Sequence, residues 1–204
     1  MRFAVPCAKP RRQPVNKPAG LFLGFLLMAV AGVAAENEMR YPDKETVIRE
    51  LGLEGHVEGG YFRRTFQADH RAMIDQGEGE RFTLTSIFYL LTDDAPIGHW
   101  HLNKSDIIHY YHLGSPVHYY LMYPDGRLEN VVVGPDLAAG QQLQLIVRGG
   151  VWKASHLPEG AYGLISEAVS PGFEFADMTL GERDALLRLF PQHEAVITAY
   201  TLSD

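Results

Sequence analysis

The alternation of apolar and polar positions divides the chain into one short helical piece, a long series of strands and a helical tail. In "PDKETVIRELGL" (Pro42 to Leu53) the apolar residues Val47, Ile48 and Leu51 recur at helical spacing, and Gly52 supplies a stop. One amphipathic helix is predicted there. Downstream the period shortens to two. "EGGYFRRTFQ" (Glu58 to Gln67) alternates aromatic and charged side chains after a Gly-Gly turn, and "RFTLTSIFYLLT" (Arg81 to Thr92) is a β-rich run that ends in the turn Asp93-Asp94-Ala95-Pro96. "DIIHYYHL", "VHYYLMY", "RLENVVVG" and "QLQLIV" follow at regular intervals, with Pro124-Asp125-Gly126 as a hairpin turn. "AYGLISEAVS" (Ala161 to Ser170) is the last predicted strand. "GERDALLRLF" then reads as a helix stopped by Pro191, and "QHEAVITAYT" adds a second short helical piece. Many short strands with helices only at the ends predict an all-β sandwich or barrel. In a double-sheet jelly roll the open mouth between the sheets is where a small molecule sits.

Composition adds two constraints. The first 35 residues carry Arg2, Lys9, Arg11, Arg12 and Lys17 and no acid, then the apolar stretch Leu21 to Ala35 and the small-residue sequence Val33-Ala34-Ala35 before Glu36. This is the form of a secretory signal peptide spanning residues 1–35, and its apolar stretch is shorter than the roughly twenty residues of a membrane span. The alternative is a start at Met39, where "MRYPDKETVIRELGL" reads as a natural beginning and the protein would be cytoplasmic. With the signal used, the protein is periplasmic or secreted, with no stable membrane span once the signal is removed. Cys7 lies in the removable segment, so the body would hold no disulfide and no thiol nucleophile. Of 18 basic and 25 acidic residues, the body from residue 36 keeps 13 and 25, a formal charge of −12. So acidic a body repels polyanions, and nucleic acid is excluded as a partner. At long range it disfavours anionic ligands as well, although Arg63 or Lys153 could hold one locally. A phosphate-binding loop, a dinucleotide fingerprint, a nucleophile elbow and a zinc-type cysteine cluster are all missing from the sequence.

Candidate chemistry concentrates between residues 97 and 128, which hold His99, His101, His109, His112 and His118, five of the nine histidines. On a regular strand His99 and His101 share a face, and Asp106 follows after four intervening residues. Two histidines and a carboxylate converging are the facial set that suits a divalent transition metal. On "DIIHYYHL", Ile107, His109, Tyr111 and Leu113 lie on one face and Asp106, Ile108, Tyr110 and His112 on the other, so only one of Asp106 and His109 can point inward. In "YGLISEAVS" both faces are mostly apolar, which puts Glu167 in a dry place, as a general acid/base, a ligand anchor or a partner of Lys153 or Arg63. "EGGYFRRTF" presents Glu58, Tyr61 and Arg63 beside a tight turn. Trp152, Phe173 and Phe175 supply either apolar walls or core.

The stretch "HWHLNKSD" approximates the first motif of the cupin superfamily. The blocks "LGLEGHVEGGYFRRTF", "TSIFYLLT", "IGHWHLNKSDIIHYYHLG", "YPDGRL", "VGPDLAAGQ", "VRGGVWKAS" and "LISEAVSPGFEFADMTL" resemble, in order, an RmlC-like cupin family known as a domain of unknown function. The resemblance covers roughly residues 45 to 191 and implies a single cupin domain over 40–204. Its fold would be a double-stranded β-helix jelly roll with a pocket inside the barrel, commonly paired into a homodimer. Metal-binding cupins take another histidine from a second motif, Pro-x-Gly-x-x-His. The matching "RGGVWK" has Arg148 in place of the proline and Lys153 in place of the ligand, and an ammonium there repels a divalent cation. No cofactor is therefore expected, with a metal on His99, His101 and Asp106 as the alternative. Three functions stay open. The first is a small-molecule binder that takes a sugar- or nucleotide-like compound on Glu58, Tyr61, Arg63, Tyr111, Trp152 and Lys153. The second is a metal-independent isomerase or epimerase, in which His101 or His109 takes a proton α to a carbonyl and a Tyr or Glu167 returns it. The third is a metal-dependent enzyme.

Overall fold

The computed structural model describes residues 41–77 and 79–202. The expected signal segment, Cys7 and the alternative start at Met39 lie outside the described residues. Helix α1 (Lys44–Leu51) begins at Asp43, whose carboxylate accepts the Thr46 N–H at 2.7 Å, and ends at Gly52 in the left-handed region with φ 59°. The strands follow in order: β1 (Glu54–Gly55), β2 (Tyr61–Gln67), the small hairpin β3 (Ile74–Asp75) and β4 (Glu80–Arg81), β5 (Thr85–Thr92), β6 (Ile97–Asn103), β7 (Asp106–Gly114), β8 (Val117–Met122), β9 (Leu128–Val133), β10 (Gln144–Val147), β11 (Trp152–His156), β12 (Tyr162–Ser170) and β13 (Met178–Leu180). Helices α2 (Arg183–Leu189) and α3 (Glu194–Tyr200) close the chain. Among the described residues no helix is long and apolar enough to cross a membrane.

Two antiparallel sheets form the jelly roll. One has the order β1-β2-β5-β12-β7-β10 and the other β13-β6-β11-β8-β9. Neighbours that are distant in sequence, such as β5 beside β12, mark the crossovers of this topology. Inward side chains alternate along each strand, as a half-buried pleat requires. Tyr89, Leu91, Val117, Tyr119, Leu121, Val133, Leu145, Val147 and Ile165 fill one part of the space between the sheets. Outside the five-stranded sheet, Trp100, Met122, Ala154 and Trp152 pack on Leu186, Phe190 and Ile197 of the C-terminal helical region. Outside the other sheet, Leu90, Tyr162 and Leu164 pack under Val47 of α1 and Leu53. The helices thus cover outer faces, and part of the space between the sheets stays unfilled.

Candidate functional site

The inward positions of β2, β5, β6, β7, β11 and β12 that are not filled by core side chains line one cavity. It holds about 440 Å³ of empty space, its mouth included, and is bounded by His56, Glu58, Phe62, Arg64, Ile87, Asn103, Ile107, Lys153, Glu167, Val169, Phe173 and Phe175. The walls are mainly apolar, and three carboxyl or ammonium groups sit among them.

The turn between β1 and β2 delivers Glu58. The Gly59 N–H bonds back to His56 O at 3.0 Å, the Glu58 carbonyl accepts the His99 N–H at 2.6 Å, and the Tyr89 hydroxyl donates to Gly59 O at 2.9 Å. Gly59 has φ 98°, and a Cβ there would lie 2.1 Å from Ile97 O. Only glycine lets the turn press this closely on β6. As a result Glu58 Oε2 lies 3.2 Å from His101 Nε2. His101 Nδ1 is 2.7 Å from the His99 carbonyl, which can only accept, so Nδ1 carries the proton and Nε2 presents its lone pair to Glu58. Burial pushes the Glu58 carboxyl up to about 8, against the pull of the Lys153 charge. Burial, and then Lys153, hold His101 well below the ordinary imidazole range. Near neutrality this is a carboxylic acid donating to a neutral imidazole, which spares the site two buried charges.

A second pair stands on β7 and β12. His109, fully buried, places Nδ1 3.1 Å from Glu167 Oε1 and 3.3 Å from the Tyr119 hydroxyl, while its Nε2 has no hydrogen-bond partner. Burial would raise the Glu167 carboxyl, but His109 and Lys153 more than offset it and hold the group below the usual carboxylate range. Burial lowers His109 in turn, so the pair is a neutral imidazole donating to a carboxylate. Lys153, 3% exposed, comes from β11, opposite His101 in the ladder.

Of the residues singled out in sequence, Glu58, His101, His109, Lys153 and Glu167 come together at or beside this cavity. The partner of Glu167 is His109 rather than Lys153 or Arg63. Tyr111 is on the inward face but packs into the filled part of the barrel and donates to Gly114 O. Three expected ligand residues are corrected. Tyr61 packs outward under α1. Arg63 is exposed, its stem beside Gly52, and the next residue, Arg64, lines the cavity instead. Trp152 faces the C-terminal helices, because odd positions of β11 point in and even ones out. Phe173 and Phe175 are cavity walls.

The donor set expected for a metal does not assemble. β6 carries a bulge against β11, where Lys153 pairs with His101 but Ser155 pairs with Gly98. The extra residue breaks the alternation, so His99 does not share the face of His101 and turns to the Tyr200 carbonyl, with Nδ1 3.3 Å away. Asp106 faces outward, 45% exposed at its side chain, and takes Arg148 Nη1 at 2.6 Å and the Gly149 N–H at 2.9 Å. Among the described residues no group of three or more His, Cys, Asp or Glu side chains is placed to hold a metal ion. Sequence reasoning passed over His56, Arg64 and Asn103. Strand parity was the available signal for two of them, since Asn103 follows His101 by two and Arg64 follows the inward Phe62 by two.

Fold and site together define a jelly-roll barrel with a mainly apolar cavity between its sheets, set with a few ionisable groups. Residues 45–181 match the family model described as cupin superfamily (DUF985). The chain is 38% identical over 170 residues to the uncharacterized protein YML079W of Saccharomyces cerevisiae, covering 76% of this chain and 84% of that one. It is also similar to solved structures of a hypothetical protein from Leishmania major (30% identity, TM-score 0.74, 79% of this chain and 100% of that one) and of protein SO0799 from Shewanella oneidensis (32%, 0.74, 80% and 100%). The chain belongs to this DUF985 family of cupins.

Proposed function

We propose that the protein binds a small polar molecule, sugar- or nucleotide-like, inside the barrel. One observation carries this: Glu58, Lys153 and Glu167 converge from the β1–β2 turn and two separate strands on a single cavity faced by Phe62, Phe173 and Phe175, with His101 3.2 Å from Glu58. Buried polar groups are costly unless something satisfies them, and a ligand with several hydrogen-bonding groups and a flat apolar face would do so. Ile107→Trp fills the cavity from its wall. A thermal-shift panel of monosaccharides, nucleosides and nucleotides is expected to raise the Tm of the unaltered protein with at least one compound and to leave Ile107→Trp unmoved. Equal shifts in both proteins would place binding elsewhere. Homodimer formation and export by the N-terminal segment belong to the same proposal, and export would restrict the ligand to one met outside the cytoplasm.

The Glu58–His101 pair favours a second reading, a metal-independent isomerase or epimerase. Glu58 would hand its proton to the carbonyl oxygen, which frees His101 Nε2 to take a proton from the carbon α to it, and the return of both protons would complete the cycle. His101→Ala separates the two readings. Binding alone predicts lost affinity and no turnover in either protein. Catalysis predicts solvent-deuterium incorporation into a bound carbonyl compound that the variant abolishes with little change in affinity.

A further inference from the structure

We propose that Lys153 anchors a carboxylate: the cavity takes a small monoanion whose carboxylate rests on the Lys153 ammonium and whose apolar body lies among Phe62, Phe173 and Phe175. This rests on the cavity being the ligand site and names the class of ligand. Lys153 lines the cavity while only 3% of the residue is exposed, and its strand is held between β6 and β8, so its ammonium meets solvent only by way of the cavity. Its side chain makes no hydrogen bond or ion pair with any described residue. The two acids nearest in the fold are already engaged, Glu167 with His109 at 3.1 Å and Glu58 with His101 at 3.2 Å, and the Lys153 charge reaches them only through space. The N–H donors of this ammonium thus border a space that the protein does not fill, where an acceptor from outside can meet them.

The surroundings select the acceptor. A hydroxyl or carbonyl would take one donor, whereas a carboxylate takes several and pairs directly with the charge that Glu167 meets only through space. A phosphate dianion needs further cations. Arg64, also in the wall, is committed to the Phe173 carbonyl at 2.9 Å and to Glu174 at 3.8 Å. Asn103 adds a donor for the second oxygen. It is buried and lines the cavity, and its amide carries two N–H donors. The aromatic walls, Phe173 and Phe175 in edge contact with centroids 5.2 Å apart, fit an apolar or planar body.

The test uses the full chain with benzoate, its neutral counterpart benzamide and inorganic phosphate as probes, followed by calorimetric titration. Benzoate is expected to bind at least tenfold more tightly than benzamide or phosphate. Lys153→Met, which keeps the stem and removes the charge, should bring benzoate down to the level of benzamide. In the unaltered protein with ¹⁵N-labelled lysine, the Lys153 ammonium resonance should shift with benzoate and not with benzamide, so a poorly folded variant does not decide the matter. Equal affinity for benzoate and benzamide, a benzoate preference that survives Lys153→Met, or tighter binding of phosphate would each overturn the carboxylate anchor. So would no binding of benzoate at all. The cavity as a ligand site fails separately, when the neutral sugars and nucleosides of the panel shift Ile107→Trp as much as the unaltered protein.

Discussion

Glu58 carries the strongest claim at the scale of single residues. Its carboxyl is 7% exposed as a residue, stands at about 8 instead of its ordinary 4.5, and meets a histidine whose only free nitrogen is an acceptor. The folded chain keeps that proton up to about pH 8, while the unfolded chain releases it above 4.5. Between these values unfolding releases a proton, so the Glu58 contribution to stability declines as pH rises and levels off above 8. Histidines with lowered values act in the opposite direction below 6.5 but are common to any Glu58 variant. Glu58→Gln keeps an N–H donor for His101 and loses the titration. Its unfolding free energy, measured by denaturant at a series of pH values, should gain on the unaltered protein between pH 5 and 8 by on the order of a few kcal/mol. Parallel profiles would mean that Glu58 titrates normally. Much of this was legible in sequence: parity put Glu167 on one face with Ile165 and Val169, and His109 with Ile107. The partnership of Glu58 with His101 was not, because it depends on a turn that folds back over a strand about forty residues away in the chain.

At the scale of elements, two local devices set the site, and both break the simple period of two. The β6 bulge turns His99 to the end of α3 while His101 stays inward, so a His-x-His spacing that reads as a ligand pair is divided between two sides of a sheet. Trp100, fully buried, holds the same segment to the C-terminal helix by donating to Val196 O at 3.3 Å. A bulge leaves no mark in apolar periodicity, which is why the sequence predicted the wrong neighbours for His99 and the right ones for the long strands β5, β7 and β12. The second device is the Gly59 turn. Gly59→Ala puts a methyl group against Ile97 O and an L-residue at φ 98°, so thermal or chemical unfolding should show a loss of about 3 kcal/mol. An unchanged stability would show that the turn has slack that the geometry denies it.

For the molecule as a whole, the barrel assigns its layers by chemistry: apolar residues fill one part of the interior, helices seal outer faces with Trp100 and Leu164, and Glu58, Asn103, Lys153 and Glu167 share one cavity. The strand-rich centre with terminal helices was readable from periodicity, and the blocks from "LGLEGHVEGG" onward marked the family. The short strands β6 and β11 were not separable from their turns by pattern alone, yet they bring His101 and Lys153 together. That placement gathers hydrogen-bonding groups, a buried lysine and acid–base groups at one interior position, and the proposed reading assigns them their work without a metal. Metal content by mass spectrometry, on protein purified without an affinity tag beside His101→Ala, tests this most directly. Transition metal well below one per chain, unchanged in the variant, is the predicted result. Near-stoichiometric metal that His101→Ala removes would contradict it, and would mean that His99 swings back to the barrel when the ion binds.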